Sequence, residues 1–347
     1  MNEERLLKYA REIVLNILDK VASSDLSEEE AADKLINEVG NILDEFGLLV
    51  DEVIPESVIN HYFGGVDEAT KALKDDGIKT KKMSRLIHEQ VVGKIMDDTL
   101  MDFHAAIRTA KQSASTTIRQ ALDEVQGDFA KGLLTGDTRK TIQKRVAQSF
   151  EKEGLTSFIT KDGKKLPLDF YSMTVTRTKM RDASVQGHVQ RYIENGQDLV
   201  EIIENADSCA ICANHRGLVV SLTGQTKGYP TIDEIDLPPY HPNCHGGIRV
   251  YVARFKTEAE IEQAKKRNSQ FKEGKDIRTP AQKMAYEREQ EARRKANEEK
   301  KQYARWQGLL GDDAPQTLGA FRRMKRQDTE KFRELQSEYR SLAQQMK

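Results

Sequence analysis

Hydrophobic residues recur at three- and four-residue intervals from the start of the chain: Leu6, Leu7, Ala10, Ile13, Val14, Ile17, Leu18 and Val21 make one continuous stripe. That spacing gathers them on a single helical face, which needs a partner to pack on. A second stripe, Leu35, Ile36, Val39, Ile42, Leu43 and Phe46, follows a capping-box pair, Ser27 and Glu30, and predicts a helix that stops at Gly47. Pro55 is placed to open a third helix, and Gly64 with Gly65 to interrupt it. From Met83 to Gly127 there is no proline, and Ile87, Val91, Ile95, Leu100, Phe103 and Ile107 keep the helical period. This stretch predicts one long helix of roughly 65 Å, at about 1.5 Å per residue.

The pattern then shortens. Asp137 or Thr138 caps a short basic helix running to Lys152, and Gly154 stops it. The string SFITKDGKKLPL is a hairpin signal, with Asp162 and Gly163 at the turn. Leu168 to Asn195 reads as a helix ending at Gly196. Apolar runs at Leu199 to Ile203, Gly217 to Leu222 and Ile248 to Val252 read as short strands. Beyond Phe255 the chain is strongly charged, with one helix from Thr279 and Pro280 to Arg305 and a last one from Leu318 to Gln345. Trp306, the sole tryptophan, sits at the end of the first of these as a local packing anchor. The fold class predicted is α+β: mainly α-helical with long helices, plus a small β and zinc-knuckle module in the second half. Four segments follow: an acidic helical region 1–80, a long connecting helix 81–134, an α+β domain 135–255 and a charged helical tail 256–347.

Composition supports the long helices. Of the 347 residues 37% are hydrophobic, 6% aromatic and 32% charged, which suits helices with one buried stripe better than a compact α/β enzyme. No apolar run approaches about 18 residues and no leader pattern opens the chain. The expectation is a soluble protein made in the cytoplasm, with reduced thiols and no membrane partner. The net charge of −1 hides an asymmetry. Residues 1–80 carry 8 Lys and Arg against 19 Asp and Glu, and residues 251–347 carry 24 against 16. A basic tail is compatible with contact to double-stranded DNA or an acidic protein, and equally with a solvated helix of mixed charge.

The chemistry concentrates between Ser208 and Val252, where all 3 cysteines lie. Cys209 and Cys212 form C-x-x-C, and His241 with Cys244 forms H-x-x-C. Two turns that each bring two such ligands supply the four corners of a tetrahedral zinc site. The reading is a structural Zn2+ held by Cys209, Cys212, His241 and Cys244, with Arg216 and Arg249 placed to offset its negative charge. A redox pair and metal-free, packed cysteines compete with it. His215 and His245 also stand near enough in sequence to replace a ligand.

A hairpin with a DG turn, a helix carrying Arg177 and Thr178, a strand, Cys209-x-x-Cys212 and then His241-Pro242-Asn243-Cys244 follow one another in that order. This order resembles the phage head-morphogenesis domain, the Mu protein F-like group, and within it the minor capsid protein 2 family of tailed phages. The resemblance covers Thr135 to Phe255. Relatives commonly continue past the last cysteine with Arg and then Cys or His, where this chain has His245 and Gly246. The resemblance implies a minor head protein located in the virion, at the capsid interior or portal vertex. Its implied partners are portal, capsid or scaffold proteins, and its implied roles lie in DNA packaging or ejection.

Enzyme readings fare worse. A zinc deaminase needs His-x-Glu, but His188 is followed by Val189 and Gln190. An HNH-like nuclease remains as an alternative on His241, Asn243 and His245, as does a nucleic-acid-binding module on the basic tail. No phosphate loop, dinucleotide fingerprint or nucleophile elbow occurs, so neither enzymatic activity nor a small-molecule substrate is expected.

Overall fold

The computed structural model describes residues 2–23, 29–130, 145, 150, 155–160, 163–242, 244–310 and 313–345. The expected basic helix 137–152, apart from Arg145 and Phe150, lies outside them, as do Ser27, Asp162 and Asn243. The protein is mainly helical with small antiparallel sheets, and it forms two compact units, Met1–Gln282 and Lys283–Lys347.

The first unit is built on four long helices, α1 (Asn2–Ser23), α2 (Glu29–Asp75), α3 (Arg85–Ala130) and α4 (Leu168–Glu194). Leu6, Ala10, Ile13, Ile17 and Val21 of α1 are buried with Leu35, Val39, Leu43 and Phe46 of α2, as their spacing predicts. Phe103, Ile107 and Ala110 of α3 and Leu168, Val175, Met180 and Ala183 of α4 complete this core. It therefore draws on residues of 1–80, 81–134 and 135–255 alike.

Where two helices were expected between Leu35 and Gly64, α2 runs unbroken through Gly47, Pro55, Gly64 and Gly65. Pro55 removes one backbone hydrogen bond, a cost of about 3 kcal/mol in a helix interior. Leu49, Val50, Val53, Ile54, Val58 and Tyr62 carry the stripe across it, and each buried side chain of this size contributes about 1.5–3 kcal/mol. Burial outweighs the local break. Gly65 has a different role from the interruption expected of it. A Cβ there would lie 2.1 Å from the Ser184 carbonyl oxygen of α4, and one on Gly187 would lie 2.2 Å from the Tyr62 carbonyl oxygen of α2. The two backbones touch at this crossing, which only glycine permits.

The segment between α2 and α3 is tied to the end of α4 by buried polar groups. Arg191 donates to Thr70 Oγ1 at 2.8 Å and to the Lys81 carbonyl at 2.9 Å, and it pairs with Glu194. His88 is buried and shares a hydrogen bond with Tyr62 Oη at 2.8 Å.

Strands β1 (Thr156–Ile159) and β2 (Lys165–Pro167) form the expected hairpin, with Gly163 at φ 82° in the turn. A second sheet has β3 (Leu199–Ile203) between β4 (Val219–Ser221) and β5 (Gly247–Val250), all antiparallel. Val200, Ile202, Val220 and Ile248 bury one face against Val189 and Tyr192 of α4. Between β3 and β4 lies the short helix α5 (Ala210–His215), and after β5 comes α6 (Glu258–Ser269), which the hydrophobic pattern did not predict. Helix α6 buries no apolar side chain. A capping box of Thr257 and Glu260 starts it, and Asn268 fixes it by bonds to both the carbonyl and the amide of Val219, at 2.8 and 3.1 Å.

Helix α7 (Pro280–Leu310) leads into the second unit, where α8 (Leu318–Gln327) and α9 (Glu330–Gln345) follow. One last helix from Leu318 was expected. The chain breaks instead at Asp328, which adopts φ 46°, and this lets Phe321 and Phe332 both reach Trp306. Trp306 stacks on Phe332 at 5.0 Å and meets Phe321 edge-on at 5.1 Å, which makes it the anchor expected.

Candidate metal centre

Two arms of the small sheet converge on one spot. The first leaves β3 at Ile203, passes Glu204 and enters α5 with Cys209 as its N-cap. In that position the Cys209 thiol accepts from the Cys212 amide at 3.5 Å, so the cap itself turns both sulfurs to the same side. The second arm descends from Ile235 to His241 and returns at Cys244, whose amide bonds the His241 carbonyl at 3.0 Å. Helix α6 braces the first arm: Arg267 donates to the carbonyls of Asn214 and Arg216, while Asn214 reaches the Lys272 carbonyl at 2.8 Å.

His241 Nε2 lies 3.0 Å from Cys209 Sγ and 3.0 Å from Cys212 Sγ, and Cys212 Sγ lies 3.6 Å from Cys244 Sγ. Ligands of one tetrahedral zinc stand about 3.5–3.8 Å apart, so the donor types and these three spacings suit a metal ion, although Cys209, Cys212, His241 and Cys244 do not all lie within 4.8 Å of one another. The His241 ring is also oriented for the task. Its Nδ1 donates to the Pro242 carbonyl at 2.7 Å, which leaves Nε2 as the nitrogen facing the thiols. Within 4.8 Å of one another the donors fall into two groups, Cys209 with Cys212 and His241, and Glu204 with Cys212 and Cys244. Cys212 is common to both.

The electrostatics follow from this crowding. Hydrogen bonding from Cys212 holds the Cys209 and Cys244 thiols well below the usual thiol range, and the same contacts push Cys212 up. The hydrogen bond to Cys209 raises His241 to about 9. Burial, and then the Cys244 charge, raises Glu204 to about 7.

The two arginines expected to offset the thiols are engaged elsewhere. Arg249 pairs with Glu201 across β5 and β3 at 2.7 Å, and the Arg216 charge, after burial, helps lower the Arg267 guanidinium. Glu204 faces the sulfurs instead, with Oε1 3.6 Å from Cys244 Sγ. Gly246 makes room for it, because a Cβ there would lie 1.9 Å from that oxygen. Nothing in the spacing of the cysteines signals Glu204; only its place one residue past a predicted strand on the arm leading to Cys209 could have. His215 is engaged elsewhere, stacked on Tyr240 at 4.0 Å with Nδ1 at 2.9 Å from the Ile211 carbonyl, and His245 is exposed. Arg177 is exposed on α4, and Thr178 bonds back to the Thr174 carbonyl at 2.8 Å.

The family model of phage minor capsid protein 2 matches residues 19–335. The chain belongs to that family. The match extends well beyond the Thr135–Phe255 stretch on which the resemblance rests, beginning in the last turn of α1, taking in all of α2 and α3 and reaching α9. Comparison with curated proteins and with solved structures returned no match. Membership supports a structural role in the phage head and association with other virion components. Among the described residues, no helix is long and apolar enough to cross a membrane.

Proposed function

We propose that this chain is a minor head protein that docks at or near the portal on the capsid interior, in far fewer copies than the main shell protein. It contacts portal, capsid or scaffold proteins during head morphogenesis and takes part in packaging or ejection of the genome. The observation that carries this reading is the family match along residues 19–335. The architecture is compatible with it: long helices packed with one small module that gathers the Cys and His side chains. In this reading 135–255, braced by α6, is the docking module, 1–80 and 81–134 supply the helices it is built on, and the rest of 256–347 is a charged helical tail.

Cys209, Cys212, His241 and Cys244 hold a structural Zn2+ that clips the two arms together. A filled set of protein donors leaves no position for a reactive water, so the ion organises the fold and the chain is not an enzyme. A nuclease would need His241 for a hydrolytic metal, whereas its Nε2 is turned to two sulfurs. Quantitative mass spectrometry of procapsids, intact virions and DNA-emptied particles tests the assignment. A few copies per particle are expected, with loss on emptying if the protein leaves with DNA. Absence from procapsids and virions alike sinks it.

A further inference from the structure

We propose that Glu204 is itself a ligand of the metal centre, so that the ion is held by a carboxylate as well as by thiolates and imidazole. The inference rests on the reading of the centre as a metal site and names a donor that the cysteine and histidine motifs do not contain.

Three features of the structure point to it: the donor grouping, an unpartnered oxygen and the backbone opposite. Glu204 stands within 4.8 Å of both Cys212 and Cys244, in a group that shares Cys212 with the Cys209 and His241 group. Cys244 keeps company with Glu204 rather than with Cys209 and His241, so any ion drawn to Cys244 comes within reach of the carboxylate. The second oxygen, Oε2, is buried and has no hydrogen-bond partner, an arrangement that is unfavourable for a carboxylate unless a cation completes it. Finally, the backbone opposite is shaped around this side chain, since Gly246 is the residue whose Cβ would collide with Oε1.

The chemistry is consistent. Zinc accepts carboxylate oxygen at about 2.0–2.2 Å beside sulfur and nitrogen, and it expands to five donors without electronic penalty. A carboxylate also makes the donor set harder than three thiolates and an imidazole alone, which favours a borderline divalent ion such as Zn2+ or Co2+ over Cu(I). Glu204 directly follows β3, the central strand of the sheet, so its coordination would anchor the ion to the sheet as well as to the two turns.

The test uses the full chain, purified metal-free and titrated with Co2+ or Zn2+ alone. X-ray absorption of the zinc form is expected to show oxygen as well as sulfur and nitrogen around one ion per chain. Glu204→Gln and Glu204→Ala should each bind at least about tenfold more weakly, with displaced Co2+ visible bands, while circular dichroism confirms that they fold. A first shell of three sulfurs and one nitrogen in the wild-type protein overturns the proposal even if the variants misfold. So do Glu204 variants with unchanged affinity and unchanged Co2+ spectrum, and in both cases the metal centre stands. A wild-type chain that takes up no ion instead removes the centre itself, and this inference with it.

Discussion

The helical core of the first unit and the cysteine-bearing sheet beside it both bury apolar side chains, but the sheet adds a larger share of side-chain hydrogen bonds. The helices α1 to α4 bury an unbroken series of apolar side chains, and at Gly65 and Gly187 their backbones meet directly. The sheet has strands of 3 to 5 residues and leans on side-chain bonds: Asn268 to Val219, Asn214 to Lys272, Asp198 to the turn after β4, and the donors around Cys212. Apolar burial tolerates local insults such as Pro55 because many side chains share the load. A module of few strands has one apolar face and a smaller reserve, so each polar tie counts for more.

The largest separation between the two regions is expected on changing Cys212→Ser, or on removing the proposed ion. Structural zinc contributes on the order of 10 kcal/mol where it organises a small module, and Cys212 is the sulfur common to both donor groups. Hydrogen exchange should rise across residues 199–252 and stay slow in α2 and α3. Equal loss in both regions would show that they do not differ in the way argued. Gly187→Val is the complementary insult, aimed at the helices. Its side chain cannot fit 2.2 Å from the Tyr62 carbonyl, so α2 and α4 must part, at a cost of about 3 kcal/mol or more. Thermal unfolding should shift down by several degrees, with metal uptake by the folded protein intact; a variant as stable as wild type would mean the crossing is looser than described.

What could be read from sequence tracks the same divide. The stripes of α1 and α3 are visible because helix burial leaves a periodic trace, and so are the strand runs and the C-x-x-C and H-x-x-C pairs that the fold brings near one another. The continuity of α2 was hidden, since Gly47, Pro55 and Gly64–Gly65 are local stop signals that only the packing overrides. Helix α6 left no periodic trace because it buries no apolar side chain, although Thr257 and Glu260 mark its start. Glu204 was invisible for a related reason. An acidic residue after a strand reads as solvated, and its burial follows from Gly246, which lies 42 positions further on and reaches it only through the pairing of β3 with β5. The break at Asp328 was missed because aspartate in the left-handed region resembles any other polar helix residue in a one-dimensional pattern.

Asp198 offers the finest test of the comparison, because it ties the sheet without touching the donors. Its carboxylate accepts from Ser221 Oγ at 2.7 Å, Thr223 N at 2.8 Å, Thr223 Oγ1 at 2.6 Å and Thr226 N at 3.0 Å. Partial burial alone would push this group up, but the hydrogen bonds from Thr223, Thr226 and Ser221 outweigh it and hold the carboxyl far below the usual range. A depressed folded-state value means that the stabilisation is complete above the unfolded value, near pH 4, and is lost as pH falls toward the folded one. Asp198→Asn keeps the shape and removes the charge, with an expected cost of about 2 kcal/mol at neutral pH. The gap between wild type and variant should therefore be constant from pH 7 to about 5 and shrink below about 4, with exchange in β3 and β4 responding before that in the helical core. A gap that does not change with pH would mean that the charge contributes nothing and that the ties of the sheet are geometric alone.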